Sequence, residues 1–111
     1  MQITTETFGN VMVAHTPDEM TDEHVADFIQ AIEEAAEVGH VRIVAQMDRT
    51  DLFDSYGLSS LVDLQEKLRE RDGNLKISGL EHHGRKIFEV TRLDRQFDVF
   101  ESVIDAVASF Q

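Results

Sequence analysis

The chain has 111 residues, a length that favours a single domain spanning residues 1–111. Acidic residues number 22 against 10 basic ones, and the formal net charge of −12 makes DNA, RNA and anionic membranes poor partners. The absence of cysteine excludes disulfides, thiol catalysis and cysteine-ligated zinc. No apolar run is long enough to span a bilayer, and residues 1–6 lack the features of a signal peptide, so we expect a cytoplasmic protein.

The chain begins with a predicted β-hairpin. Residues 2–8 and 11–15 have the composition of two short strands, and Gly9-Asn10 lies between them. Glycine tolerates the positive φ that a two-residue hairpin turn requires, so this dipeptide predicts the turn.

A helix is predicted next, with two alternative starts. Thr16-Pro17-Asp18-Glu19 has the pattern of a capping box with proline at the first helical position, and Thr21-Asp22-Glu23 offers a later start. Gly39 is placed to end the helix in a left-handed conformation. The apolar face recurs at helical spacing and comprises Val25, Phe28, Ile29, Ile32, Ala35 and Ala36.

A buried strand and a second amphipathic helix follow. Residues 41–47 are rich in β-branched side chains, which is typical of a strand covered on both faces. Residues 48–57 are predicted to form a turn. The second helix ends before Gly73-Asn74 and carries Leu58, Leu61, Val62, Gln65 and Leu68 on one face.

The last third of the chain predicts four shorter elements. They are a strand at 75–80, a helix at 83–93, a strand at 97–100 and a final helix capped by Ser102. The resulting order, β β α β α β α β α, predicts an α/β fold. Its mixed, mostly parallel sheet has about five strands with an N-terminal hairpin, and about four helices lie mainly on one face.

Histidines and aspartates are the first candidates for chemistry. None of the five histidines has the i, i+4 spacing that presents two imidazoles to one ion, so we predict no metal site. Asp48, Asp51 and Asp54 recur after the buried strand, where carboxylates can be catalytic, can bind Mg²⁺ or can simply form turns. Neither a phosphate-binding loop nor a nucleophile–base pair accompanies them, so we predict no catalytic residues and no cofactor.

The segment Asp54-Ser55-Tyr56-Gly57-Leu58 lies at the predicted N-terminus of the second helix. Asp54 or Ser55 can cap that helix, and Gly57 allows the close approach of another backbone. A phosphate on a serine here would meet free N–H groups and the positive end of the helix dipole. A plain Asp/Ser N-cap accounts for the same residues, so the motif alone leaves both interpretations open.

This motif resembles the signature of STAS domains and, more narrowly, of the bacterial anti-sigma-factor antagonists, whose usual form is Asp-Ser-Ser-Gly-Leu. The stretches 86–94 and 97–102 are similar to the C-terminal half of the same family, in which a short helix and turn precede a short strand and a final helix. The resemblance covers nearly the whole chain and implies the STAS fold.

The resemblance also implies a function without catalysis. The family acts by partner switching: the antagonist binds an anti-sigma factor, often a serine kinase, and serine phosphorylation breaks the complex until a phosphatase resets it. Carried over to this sequence, Ser55 is the phosphorylation candidate. The partner-binding surface comprises Asp51, Asp54, Ser55, Tyr56, Gly57 and Ser59, with Glu66, Lys67 and Glu70 further along the helix.

The sequence departs from the family pattern in three places. Tyr56 occupies the usual acceptor position, although some stressosome-type relatives resemble this arrangement and are phosphorylated on the serine after Asp. The acidic residue common after the hairpin is missing at residues 13–16, and Arg92 replaces the usual glycine before Leu93. Four alternatives remain. They are an unregulated binding module, a module that binds a nucleotide or other small ligand, a lipid-binding relative and an enzyme that uses the aspartates.

Overall fold

Residues 3–111, which the computed structural model describes, form seven strands and four α-helices. Residue 2, at the start of the predicted first strand, lies outside the described residues. The elements in chain order are β1 (Thr5–Phe8), β2 (Val11–His15), β3 (Glu19–Met20), α1 (Ala26–Glu37), β4 (Arg42–Gln46), β5 (Leu52–Phe53), α2 (Ser55–Arg69), β6 (Asn74–Ser78), α3 (His82–Val90), β7 (Val99–Phe100) and α4 (Val103–Ala108).

The main sheet has five strands in the order β1-β2-β4-β6-β7. β1 is antiparallel to β2, and the other neighbours are parallel, so the predicted α/β class and mixed sheet are confirmed. Gly9 has a φ of +63°, as the predicted hairpin turn requires. β3 and β5 pair separately as a small parallel sheet.

The main sheet is covered on both faces, and three of the four helices share one of them. On that face the buried side chains of α1, α2 and α3, including Phe28, Leu61 and Phe88, pack with the sheet residues Ile43 and Ile77. The opposite face is covered by α4 through a smaller apolar cluster that comprises Val11, Val13, Val44 and Ala106, flanked by Phe100, Val103, Val107 and Phe110. Burial of Ile43, Val44 and Ala45 confirms the prediction of a strand covered on both faces.

The first helix begins later than the capping-box pattern suggested. Thr16-Pro17-Asp18-Glu19 does not start a helix, because the buried Thr16 hydroxyl pairs with that of Thr50 at 2.6 Å and the chain continues into β3. A turn in which the Val25 N–H donates to the Thr21 carbonyl at 2.9 Å precedes α1, so the alternative start at Thr21 was nearer. Gly39, with a φ of +95°, follows the helix end as predicted.

Two further segments differ from the sequence prediction. The predicted turn 48–57 contains β5, since Leu52 and Phe53 pair with Glu19 and Met20. The predicted helix 83–93 ends at Val90, and residues 93–95 form a single 3-10 turn. Within residues 3–111, none of the helices combines the length and apolar character needed to cross a bilayer.

Candidate interaction site

Asp54 is the N-cap of α2 and also ties that helix to a neighbouring loop. One carboxylate oxygen accepts a hydrogen bond from the Gly57 N–H at 2.8 Å, and the other accepts one from the Asp22 N–H at 3.1 Å. The Gly57 bond, followed by the Asp22 bond, lowers the pKa of the Asp54 carboxyl below its ordinary value, against a smaller opposing effect of desolvation. The cap to Gly57 and the bond from Asp22 therefore account for the lowered pKa of Asp54.

Gly57 brings α2 against the backbone of β3. A Cβ atom at position 57 would lie 1.9 Å from the Met20 carbonyl oxygen, a distance that no side chain can accept. The same carbonyl accepts a hydrogen bond from the Asp54 N–H at 3.2 Å. The close backbone approach expected at Gly57 is therefore made within the chain, and Gly57 itself is buried.

The loops beneath the start of α2 are fixed by buried threonines and by β3–β5 pairing. The Thr50 hydroxyl donates to the Pro17 carbonyl at 2.6 Å while it pairs with Thr16. The Asp51 N–H donates to the Asp18 carbonyl at 3.0 Å. Phe53 packs edge-on against Phe88 of α3, with ring centroids 6.3 Å apart. These contacts fix the segment that precedes α2 to the loop before β3 and to α3.

The predicted site residues divide into exposed ones and ones that are partly or fully buried in contacts at the start of α2. Ser55, at the first position of α2, is exposed, as are Ser59 and Asp51, and the Tyr56 side chain is 52% exposed. Asp54 is half-buried in its capping role, and Gly57 is buried. The exposed residues form one surface around the first turn of α2, which we call the α2 entry surface: Asp51, Leu52, Ser55, Tyr56 and Ser59.

Leu52 is the one member of the α2 entry surface that sequence reasoning missed. It is 47% exposed because β5 turns the neighbouring Phe53 toward α3 and leaves Leu52 facing solvent. The sequence signal was present as an adjacent apolar pair inside a polar turn. In contrast, Ser60 is buried and donates its hydroxyl to the Tyr56 carbonyl at 2.8 Å, so it does not contribute to the surface.

The histidines and Asp48, the remaining candidates for chemistry, do not form one cluster among the described residues. His15 is paired with Glu6 at 2.7 Å, and His24 with Glu19 at 3.1 Å. Asp48 is exposed. In the part of the chain from residue 3 onward, no three His, Asp or Glu side chains are grouped so that they could hold a metal ion. What the geometry offers is an exposed surface with two serine hydroxyls, one carboxylate and two large side chains, Leu52 and Tyr56.

The chain is thus a small domain in which a helix-covered mixed sheet presents an exposed surface at the start of α2. The STAS domain profile matches residues 2–106, and the chain therefore belongs to the STAS domain family. STAS domains are typically non-enzymatic regulatory modules.

Known proteins similar to this chain include anti-sigma factor antagonists. The chain is 23% identical over 111 residues to BtrV of Bordetella bronchiseptica, which carries the name of an anti-sigma factor antagonist; the match covers 100% of this chain and 96% of BtrV. An anti-sigma factor antagonist from Mycobacterium paratuberculosis superposes with a TM-score of 0.85 at 20% identity, over 97% of this chain and 92% of the other. Phosphorylated SpoIIAA of Bacillus gives 0.76 at 17%, over 98% and 99%. The likeness to these structures confirms the fold.

Proposed function

We propose that this protein is an anti-sigma factor antagonist that binds an anti-sigma factor of the serine-kinase type through the α2 entry surface. The observation that carries the proposal is the exposed Ser55 hydroxyl at the first position of α2, directly beside the half-exposed Tyr56 ring. Aromatic side chains of this exposure are enriched among the residues that dominate binding energy. Leu52 and Tyr56 supply the apolar contacts, and Asp51 and Ser59 supply the polar rim.

Phosphorylation of Ser55 is the proposed means by which partner binding is regulated. A phosphate would add nearly two negative charges next to the Asp54 carboxylate, whose two oxygens already accept the Gly57 and Asp22 N–H groups. In a closed interface the added charge would have to be desolvated, which is costly, and its bulk would have to be accommodated between the two proteins. The phosphorylated protein would therefore release its partner, and a phosphatase would restore binding.

The chain itself tolerates a negative charge at position 55. The side chain is exposed and lies at the positive end of the α2 dipole, which stabilises an anion. We expect Ser55→Asp to keep the fold, with a free energy of unfolding within about 0.5 kcal/mol of wild type. A loss of binding by this variant would then report on the interface and not on folding.

Calorimetric titration against each anti-sigma kinase of the source bacterium tests the proposal. Tyr56→Ala is expected to weaken binding about 30-fold, equivalent to about 2 kcal/mol, and Ser55→Asp at least about tenfold. Ile104→Ala is the matched control, because Ile104 is 76% exposed on α4, away from the α2 entry surface. Unchanged affinity of both site variants would refute the interface.

The phosphorylation step has a separate readout. The protein is incubated with the bound kinase and ATP, and the modified residue is located by mass spectrometry. We expect one phosphate on Ser55 and none on the Ser55→Ala variant. Modification of Ser59 or another residue, or none at all, would refute Ser55 as the acceptor while leaving the binding role intact.

A further inference from the structure

A furrow runs between α1 and α2, continuous with the α2 entry surface. It consists of two open cavities of about 280 and 230 Å³ that share Leu64 and Lys67 as lining residues. The smaller cavity reaches Tyr56, and the larger one extends to Arg71 near the end of α2. We call the two together the α1–α2 furrow.

The furrow has an acidic rim and accessible apolar side chains at one end. Ile32, Leu64 and Leu68 lie beneath it as nearly fully buried members of the main core, while the half-buried Ile29 and the exposed Tyr56 supply apolar surface in the smaller cavity. Four carboxylates line it, those of Glu33, Glu37, Asp63 and Glu70, against only two cations. A row of carboxylates that continues from the exposed Tyr56 and the half-buried Ile29 is complementary to a segment that carries basic side chains along one face and apolar ones at its end.

Both cations of the furrow already have partners within the chain. Lys67 bridges from α2 to the Glu33 carboxylate on α1, and this hydrogen bond with Glu33 raises the pKa of the Lys67 ammonium. Arg71 donates to the Ala36 carbonyl at the end of α1, at 2.9 Å. The Lys67–Glu33 pair crosses the furrow at the junction of its two cavities, where an ammonium group is bound by the protein's own carboxylate.

We propose that the α1–α2 furrow receives a basic, amphipathic helix of the protein partner, and that a lysine or arginine of this helix replaces Lys67 on Glu33. The inference rests on the proposed function for the identity of the partner as a protein bound at the α2 entry surface. The furrow extends that surface along α2 from Tyr56 to Arg71, about 22 Å at 1.5 Å per residue. A partner helix of about 15 residues would fill it.

If a cation of the partner helix displaces Lys67 from Glu33, substitutions of Lys67 and of Glu33 should change the affinity for the partner in opposite directions. Lys67→Met keeps the aliphatic stem and frees Glu33, so binding of the partner should strengthen about fivefold. Glu33→Gln removes the carboxylate that the partner's cation needs, so binding should weaken about tenfold. Both side chains are substantially exposed, 58% for Lys67 and 40% for Glu33, so neither change should disturb folding. A purely structural ion pair would move affinity in the same direction in both variants.

The control variants remove one positive or one negative charge at positions outside the furrow. Lys86→Met and Glu89→Gln lie on exposed positions of α3, outside the furrow, and alter the net charge identically. Affinities for the anti-sigma kinase are measured at low and physiological salt. The inference is overturned if Lys67→Met weakens binding, or if Glu33→Gln has no larger effect than Glu89→Gln. If Tyr56→Ala loses binding while Lys67→Met and Glu33→Gln have no effect, the furrow is rejected as a docking site. The proposed function would still stand in that case.

A second measurement does not depend on the kinase. ¹⁵N-labelled protein is titrated with a 15-residue helical peptide of leucine and arginine at i, i+3, i+4 spacing, and with the same peptide carrying glutamate for arginine. We expect amide shifts of residues that line the furrow with the arginine peptide alone, and stronger binding to Lys67→Met. Shifts elsewhere, or none, would overturn the inference even if no kinase bound the protein and the proposed function had failed.

Discussion

The Asp54 carboxylate accepts a hydrogen bond from the Asp22 N–H at 3.1 Å, so the residue that caps α2 also ties the helix to the loop that follows β3. Two acidic residues are neighbours here without conflict, because the contact is made by the backbone of Asp22 and not by its carboxylate. This bond and the cap to Gly57 make the ionised form of Asp54 part of the folded structure.

Protonation of Asp54 should therefore destabilise the protein in acid. Its pKa is lower in the folded state than in the unfolded chain, so its contribution is complete above the ordinary aspartate pKa and is lost as the pH falls through the folded value. We expect wild type to lose more stability than Asp54→Asn as the pH falls below the ordinary aspartate pKa of 3.8, because the amide oxygen of asparagine can still cap but does not titrate.

Urea denaturation at several pH values measures this difference. Asp51→Asn, on the other side of β5 with an exposed side chain, is the matched control. Identical acid profiles for Asp54→Asn and wild type would contradict the role assigned to the Asp54 carboxylate.

Gly57→Ala should be strongly destabilising. The new methyl group would lie 1.9 Å from the Met20 carbonyl oxygen, and only a shift of β3 or α2 relieves the clash. We expect a loss of about 3 kcal/mol in the free energy of unfolding. In Gly84→Ala, the same change on α3, the nearest atom is the flexible tip of Leu80 at 2.9 Å, so the loss should stay below about 1 kcal/mol. Equal losses would argue against the close contact at Gly57.

Thr50→Val tests the buried hydroxyl pair beneath the α2 entry surface. The substitution keeps the shape of the side chain but leaves the Pro17 carbonyl without its 2.6 Å donor. Leaving a buried acceptor unpaired costs about 1–3 kcal/mol, and we expect a loss in this range by chemical denaturation. Thr5→Val, the same change on an exposed position of β1, should alter stability by less than about 0.5 kcal/mol.

Arg92→Gly should stabilise the protein. Arg92 has a φ of +66°, in the left-handed region that favours glycine, and it occupies the position where the family pattern carries glycine. We expect a gain of about 1 kcal/mol in thermal or chemical unfolding. Asp72→Gly, at a φ of +61°, should gain less, because aspartate adopts this conformation more readily than arginine. A destabilised Arg92→Gly variant would show that the arginine side chain makes a contact that outweighs the strain.

Local signals predicted most of the fold and every member of the α2 entry surface except Leu52. The caps at Asp54 and Ser102, the turn at Gly9 and the stop at Gly39 are read from neighbouring residues, and the structure confirms all four. The failures arose where a distant contact decides the conformation.

Thr16-Pro17 has the sequence of a helix start, yet Thr50, 34 positions away, pairs with the Thr16 hydroxyl and the chain enters β3 instead. Leu52 and Phe53 form a strand because Glu19 and Met20 lie beside them, which no local pattern records. The exposed Leu52 and the bridge from Lys67 to Glu33 were missed for the same reason, since both depend on packing between elements.

The contact between Gly57 and Met20 has a consequence for how signals reach this surface. With backbone against backbone and no side chain between them, the start of α2 has no room to slide or tilt toward β3. A regulator acting there has to change what the surface displays, by adding or covering a group, and not how the helix is placed. Under the proposed phosphorylation of Ser55, the response would be set by the fraction of molecules that carry the phosphate, and it would be graded by the balance of the kinase and the phosphatase.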